Sequence, residues 1–146
     1  CDAYELDVTA LDETMEVRIV KSGLRDIHVC VKAGMTCCRL CSMKKKSVEF
    51  QKNWIGRGTY VLSESAENRT NYSILQYYAP LYDIPEECAT GTSNGGLTYY
   101  LYQKGMIQVN QMNCFLQGEQ HASSVKVYTK CRWQMEDQPY GLAGVE

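Results

Sequence analysis

No apolar run in this chain approaches the ~20 residues that a membrane-spanning helix needs, so no transmembrane helix is expected within its 146 residues. Proline is scarce, at three residues, and with only eleven glycines there is no collagen-like or low-complexity segment. Histidine is scarcer still: His28 and His121 are the whole supply. Neither has a nucleophile beside it, and the sequence contains no G-x-S-x-G, H-E-x-x-H, P-loop or EF-hand pattern. These absences remove the common hydrolase, metalloprotease, nucleotide-binding and calcium-binding signatures. The expectation is no enzyme, no catalytic residue, no metal and no cofactor. A net charge of −2 and an acidic balance argue against nucleic acid as a partner.

Cysteine is abundant by contrast. Cys1, Cys30, Cys37, Cys38, Cys41, Cys88, Cys114 and Cys131 make an even count of eight. Two acceptor sequons, Asn68-Arg69-Thr70 and Asn71-Tyr72-Ser73, lie between them. Together they predict a secreted glycoprotein with a disulfide framework, carrying glycans at Asn68 and Asn71. Cys37-Cys38-x-x-Cys41 lacks the second ligand pair of a structural zinc site. The chain opens on Cys1 without a charged and then apolar leader, as a processed secreted chain or a segment of a longer one would.

Charge is unevenly spread. Residues 1–16 carry Asp2, Glu5, Asp7, Asp12, Glu13 and Glu16 with no base, whereas Arg39, Lys44, Lys45, Lys46, Lys52 and Arg57 cluster later. The lysine triplet fits a solvated loop or a docking patch for an anionic partner.

Period-two alternation dominates the pattern. Residues 4–9, 15–20 and 27–32 place apolar side chains on one face and polar ones on the other, and further strands are expected at 72–78, 97–102, 106–109 and 124–130. Turn signals fall at Lys21–Leu24, Ala33-Gly34, Thr92–Gly96 and Lys104-Gly105, with no convincing helical period in any window. Short strands and regular turns predict an all-β fold, an antiparallel β-sandwich in preference to a barrel. Parity with Ile27, Val29 and Val31 turns Cys30 and His28 outward, leaving Cys30 to bridge a covering loop, Cys114 or another chain. Parity with Val125 and Val127 turns Cys131 inward. Tyrosine pairs at Tyr77-Tyr78 and Tyr99-Tyr100 would each send one ring into the core and one outward, where it could join a binding stripe.

Three stretches carry a family resemblance: Val8 to Val20, Asp26 to Gly34 followed by Cys37 and Cys38, and the run from Leu97 through Val109 to the closing Cys131-Arg-Trp133. In their order and spacing they resemble the ZP-N domain, the immunoglobulin-like half of the zona pellucida module, and in length the repeats of mollusc egg vitelline envelopes. The resemblance implies an immunoglobulin-like sandwich of ZP-N type stapled by disulfides, spanning 1–133, with 134–146 as a linker toward a following module. It implies pairing of Cys37 or Cys38 with Cys88, and Cys131 as the family's fourth cysteine. The first is missing from its usual strand, where Ala10 stands, so Cys1 would have to reach Cys131 across a bend. The function implied is a structural and recognition module of an extracellular egg coat, polymerising with other ZP-type modules and binding a lysin-like sperm protein at fertilisation. Asp7, Asp12 and Glu13 would steer a basic partner, and Tyr100 and Tyr102 would flank the edge strand it adds to. The rival expectation is a secreted disulfide-rich binding protein of another class, an effector or a cuticle matrix component.

Overall fold

The computed structural model describes residues 8–22, 25–32, 58–64, 72–79, 82–118, 125–133 and 139–145. After a short 3₁₀ turn at Val8–Ala10 come β1 (Arg18–Lys21), β2 (Arg25–Val31), β3 (Gly58–Glu64), β4 (Tyr72–Ala79) and β5 (Ile84–Glu87). A helix, α1 (Gly91–Gln103), follows, and then β6 (Met112–Gln117), β7 (Val125–Trp133) and β8 (Pro139–Val145). The eight described strands form one sheet in the order β1-β2-β3-β4-β6-β7-β8, with β5 also paired to β4. β6 pairs with β4 at Tyr72–Leu75 and β5 pairs with it at Tyr77 and Ala79, so the two share one edge of β4 at successive levels.

Two neighbouring pairs are parallel: β2 with β3, and β4 with β6. A parallel pair cannot be closed by a tight turn and needs a long crossover, usually helical. For β4 and β6 that crossover contains α1. The helix packs against β1 and β2 near one end of the strand order and against β7 and β8 at the other. Strands at opposite ends of one sheet can reach the same helix only if the sheet curls, so the architecture is a curled half-barrel of mixed strands wrapped around α1. Leu97, Tyr100 and Leu101 of the helix meet Leu75, Tyr77, Ala79, Phe115, Cys30 and Met15 in the core.

The expected all-β immunoglobulin-like sandwich is therefore replaced by a single mixed sheet with a central helix. The stretch 97–102, expected as a strand, lies within α1, and 106–109 forms turns instead of a strand. Residues 139–145, expected within a linker, supply β8, which pairs with β7 along its whole length. The strands expected around 27–32, 72–78 and 124–130 are present as β2, β4 and β7, with ends that differ by at most three residues.

Parity on β2 is inverted relative to the expectation. Asp26, His28 and Cys30 face the helix: Asp26 bonds Ser93, His28 lies against Gly96, and Cys30 joins the core cluster. Ile27, Val29 and Val31 are buried too, so alternation carried no information there. Cys131 is fully buried, as its parity with Val127 implied.

No disulfide forms among the described cysteines. Cys88, the expected partner of Cys37 or Cys38, is an exposed thiol; Cys114 and Cys131 are buried thiols, and burial pushes that of Cys131 up. Cys30 on β2 and Cys114 on β6 are separated by β3 and β4 in the sheet order, and no bridge joins them. Cys1, Cys37, Cys38, Cys41, Asn68, Asn71, Asp7 and His121 lie outside the described residues.

Candidate functional site at the tip of the central helix

The chain leaves β5 at Glu87 and enters α1 at Gly91, with Thr90 as the N-cap in an extended conformation. The first helical bond runs from the Asn94 N–H to the Thr90 carbonyl (3.2 Å). The N–H groups of Gly91, Thr92 and Ser93 therefore precede the helical ladder and have no acceptor within it. The first turn carries no acidic residue to neutralise the positive end of the helix dipole. A Cβ built on Gly91 would meet nothing within 4 Å, and Cys88 and Thr92 are exposed. The tip of α1 thus brings backbone donors to a surface where Cys88 and Thr92 are exposed, Gly91 has open space beside it and Glu87 ends the strand that leads into the turn.

Beneath the tip, polar side chains sit where a core would ordinarily be apolar. The Gln117 Oε1 accepts from the Thr90 N–H (3.0 Å) and from Asn94 Nδ2 (2.8 Å), while Gln117 Nε2 donates to the Glu87 carbonyl (2.8 Å) and to Thr90 Oγ1 (3.0 Å). Asn94 Nδ2 also donates to the Thr90 carbonyl (2.7 Å). On the opposite flank the Ser93 hydroxyl donates to Asp26 Oδ2 (2.7 Å), and the Ser22 hydroxyl donates to the Thr92 carbonyl (3.0 Å). Asp26 Oδ1, Asn94 Oδ1 and both ring nitrogens of His28 are buried without hydrogen-bond partners. Burial raises the Asp26 pKa, an effect the Ser93 bond partly offsets, and burial drives His28 down to about 4. His28 is accordingly a neutral ring at neutral pH.

Gly96, inside the helix, is closely surrounded. A Cβ at Gly96 would lie 3.3 Å from His28 Nε2 and 3.4 Å from both Ser22 Oγ and Val20 Cγ1. A methyl there would crowd the His28 ring and its neighbours by a few tenths of an ångström, which sets a packing cost against the roughly 1 kcal/mol that glycine costs in a helix.

Among the described residues expected to bind a partner, Asp12, Glu13, Tyr100 and Tyr102, none belongs to this tip. Asp12 is half-buried and accepts from the Thr14 N–H (2.9 Å) and hydroxyl (2.6 Å); Glu13 is exposed and lies 3.4 Å from Lys32 Nζ. Tyr100 is fully buried, its hydroxyl donating to the Glu16 carbonyl (2.6 Å), so it offers no outward ring. Tyr102 is half-buried near the far end of α1. The residues that build the tip, Glu87, Thr90, Gly91, Thr92, Asn94 and Gln117, were not singled out from the sequence as a site. The available signal was Thr90-Gly-Thr-Ser-Asn94 directly after an apolar-polar strand, a strand-to-helix passage in which small residues free the backbone donors.

No family model and no curated protein matches the chain. Solved structures do. A phenazine biosynthesis protein of the PhzF family from Bacillus anthracis superposes with a TM-score of 0.77 at 17% identity, over 98% of this chain and 50% of that one. A predicted epimerase from Pseudomonas aeruginosa gives a TM-score of 0.68 at 16% identity, over 99% of this chain and 46% of that one. This chain thus spans about half the length of each. The ZP-N resemblance is overturned by these neighbours, and with it the egg-coat function, the lysin-like and ZP-type partners, and the extracellular-coat localisation that rested on it. The expectation of no enzymatic role likewise stands against a biosynthesis protein and a predicted epimerase. At such low identity the likeness shows a fold: this chain has the curled sheet and central helix of PhzF-like proteins.

Proposed function

We propose that the tip of α1 is half of an isomerase-type active site, binding a small carboxylic acid and moving a proton at the carbon next to its carboxylate. The observation that carries this reading is the open, uncompensated helix N-terminus with a carboxylate residue, Glu87, three positions before the N-cap. Backbone donors at a helix start favour an anion. Removing a proton alpha to a carboxylate pushes negative charge onto the carboxylate oxygens, so the same N–H groups of Gly91, Thr92 and Ser93 would hold the substrate and stabilise the charge that develops. Glu87 supplies the acid-base group, with Thr92 donating to the same anion. Reprotonation on the opposite face requires a second acid. The solved neighbours are about twice the length of this chain, which supports a site completed by a second lobe.

The test of binding is a titration with malonate followed by amide resonances. Gly91, Thr92 and Ser93 should shift and saturate together, and Gly91→Ala, which sets a methyl into the open space there, should weaken binding. Shifts confined to surface lysines, with the helix tip unmoved, would refute the reading.

A further inference from the structure

We infer that Gln117 is a positioning residue of this site, a buried side chain that ties the backbone of Glu87 to the start of α1; the inference rests on the reading of the α1 tip given above. Gln117 is fully buried at the last position of β6, on a different element from every group at the site. A glutamine amide has two donors and room for two acceptances, and all four are used here. Two of its bonds go to the backbone at either end of the turn: the Glu87 carbonyl and the Thr90 N–H. The other two go to the Thr90 hydroxyl and the Asn94 amide. The Thr90 hydroxyl, turned to Gln117, makes no capping bond to the helix, which leaves the first-turn N–H groups to a ligand.

A second, independent feature points the same way. Gly118, the next residue, has φ +76, and a Cβ there would lie 3.1 Å from the Cys88 carbonyl and 3.3 Å from the Cys88 Cα. The end of β6 therefore presses its backbone against the same turn that Gln117 holds by hydrogen bonds. Gln117 and Gly118 together make a platform under residues 87–90, and the relation between Glu87 and the helix tip is fixed by β6 from below.

The experiment uses the full-length protein carrying Gln117→Met, close to the glutamine in shape but unable to hydrogen-bond, and Gln117→Glu, which keeps the acceptor and loses the donors. Asn94→Ala, which removes only one of the four bonds, serves if Gln117→Met does not fold. Native folding is confirmed from amide protection in β2 and β7. In Gln117→Met the Thr90 amide should exchange on the order of tenfold faster or more, since its acceptor is gone. Malonate affinity at the Gly91–Ser93 amides should fall by about the same factor, with Gln117→Glu or Asn94→Ala falling between it and the wild type. Accelerated Thr90 exchange with unchanged malonate affinity would overturn the positioning role. If the wild type itself binds no malonate, the functional reading fails and Thr90 exchange alone judges the clamp: faster exchange keeps it and an unchanged rate overturns it.

Discussion

Acid should weaken this fold through one residue. His28 is fully buried with neither ring nitrogen hydrogen-bonded, and burial depresses its pKa from 6.5 to about 4. A base whose folded pKa is depressed binds fewer protons folded than unfolded between the two values. Stability is therefore intact above about 6.5 and is lost as pH falls toward about 4. At ~1.4 kcal/mol per pH unit that interval amounts to about 3 kcal/mol, a large share of the ~5–15 kcal/mol that a domain usually has. Asp26, on the same face of β2, has a raised pKa and works the opposite way, protonating more readily folded than unfolded. The clean quantity is thus the difference between wild type and His28→Leu, which keeps Asp26 and removes the ring. Urea unfolding at pH 7.5 and 4.5 should show the wild type losing about 2–3 kcal/mol more than the variant across that range. Parallel pH dependences, or a His28 ring signal titrating near its ordinary value, would refute the account of a desolvated ring held against α1.

Gly96→Ala and Tyr100→Phe test the packing around that ring, with Gly91→Ala as a control away from it. Gly96→Ala gains helix propensity but drives its methyl toward His28, Ser22 and Val20, so thermal unfolding should show a net loss of about 1–3 kcal/mol, whereas Gly91→Ala, with open space around it, should leave stability nearly unchanged. Tyr100→Phe keeps the buried ring and deletes the bond to the Glu16 carbonyl; a loss of about 1 kcal/mol in urea unfolding is expected, and no loss would mean the bond contributes nothing net.

The strands were more legible than the helix, for reasons that lie in the curled sheet. A helix lying on a flat sheet has a solvent face and shows an apolar stripe. α1 is enclosed by β1 and β2 on one side and β7 and β8 on the other, so Ser93, Asn94, Gly95, Gly96 and Thr98 are as buried as Leu97 and Leu101. No period survives in such a segment. Its polar members are paid for by specific partners: Ser93 by Asp26, Asn94 by Gln117, and Thr98 by the Asn94 carbonyl at 2.7 Å. Asn94-Gly95-Gly96 has the composition of a tight turn, and the close approach of His28, Ser22 and Val20 that favours glycine at position 96 is visible only in the fold. The cysteines misled for a different reason. An even count says nothing about distance, and buried cysteines such as Cys30 and Cys114 behave as small apolar side chains. The site was hidden because its chemistry is mostly backbone, and because Gln117 meets Glu87 and Thr90 from across β6, thirty and twenty-seven residues away.

Proton transfer at carbon gives the most direct measurement. Full-length wild-type protein and Glu87→Gln would be incubated in D₂O with a set of chiral α-amino and α-hydroxy acids, and deuterium at the α-carbon followed by NMR. The account predicts that the wild type exchanges the α-proton of at least one acid and that Glu87→Gln, folded and still binding malonate at the α1 tip, exchanges it on the order of 10² to 10⁴ times more slowly. Exchange at the wild-type rate in Glu87→Gln would contradict it.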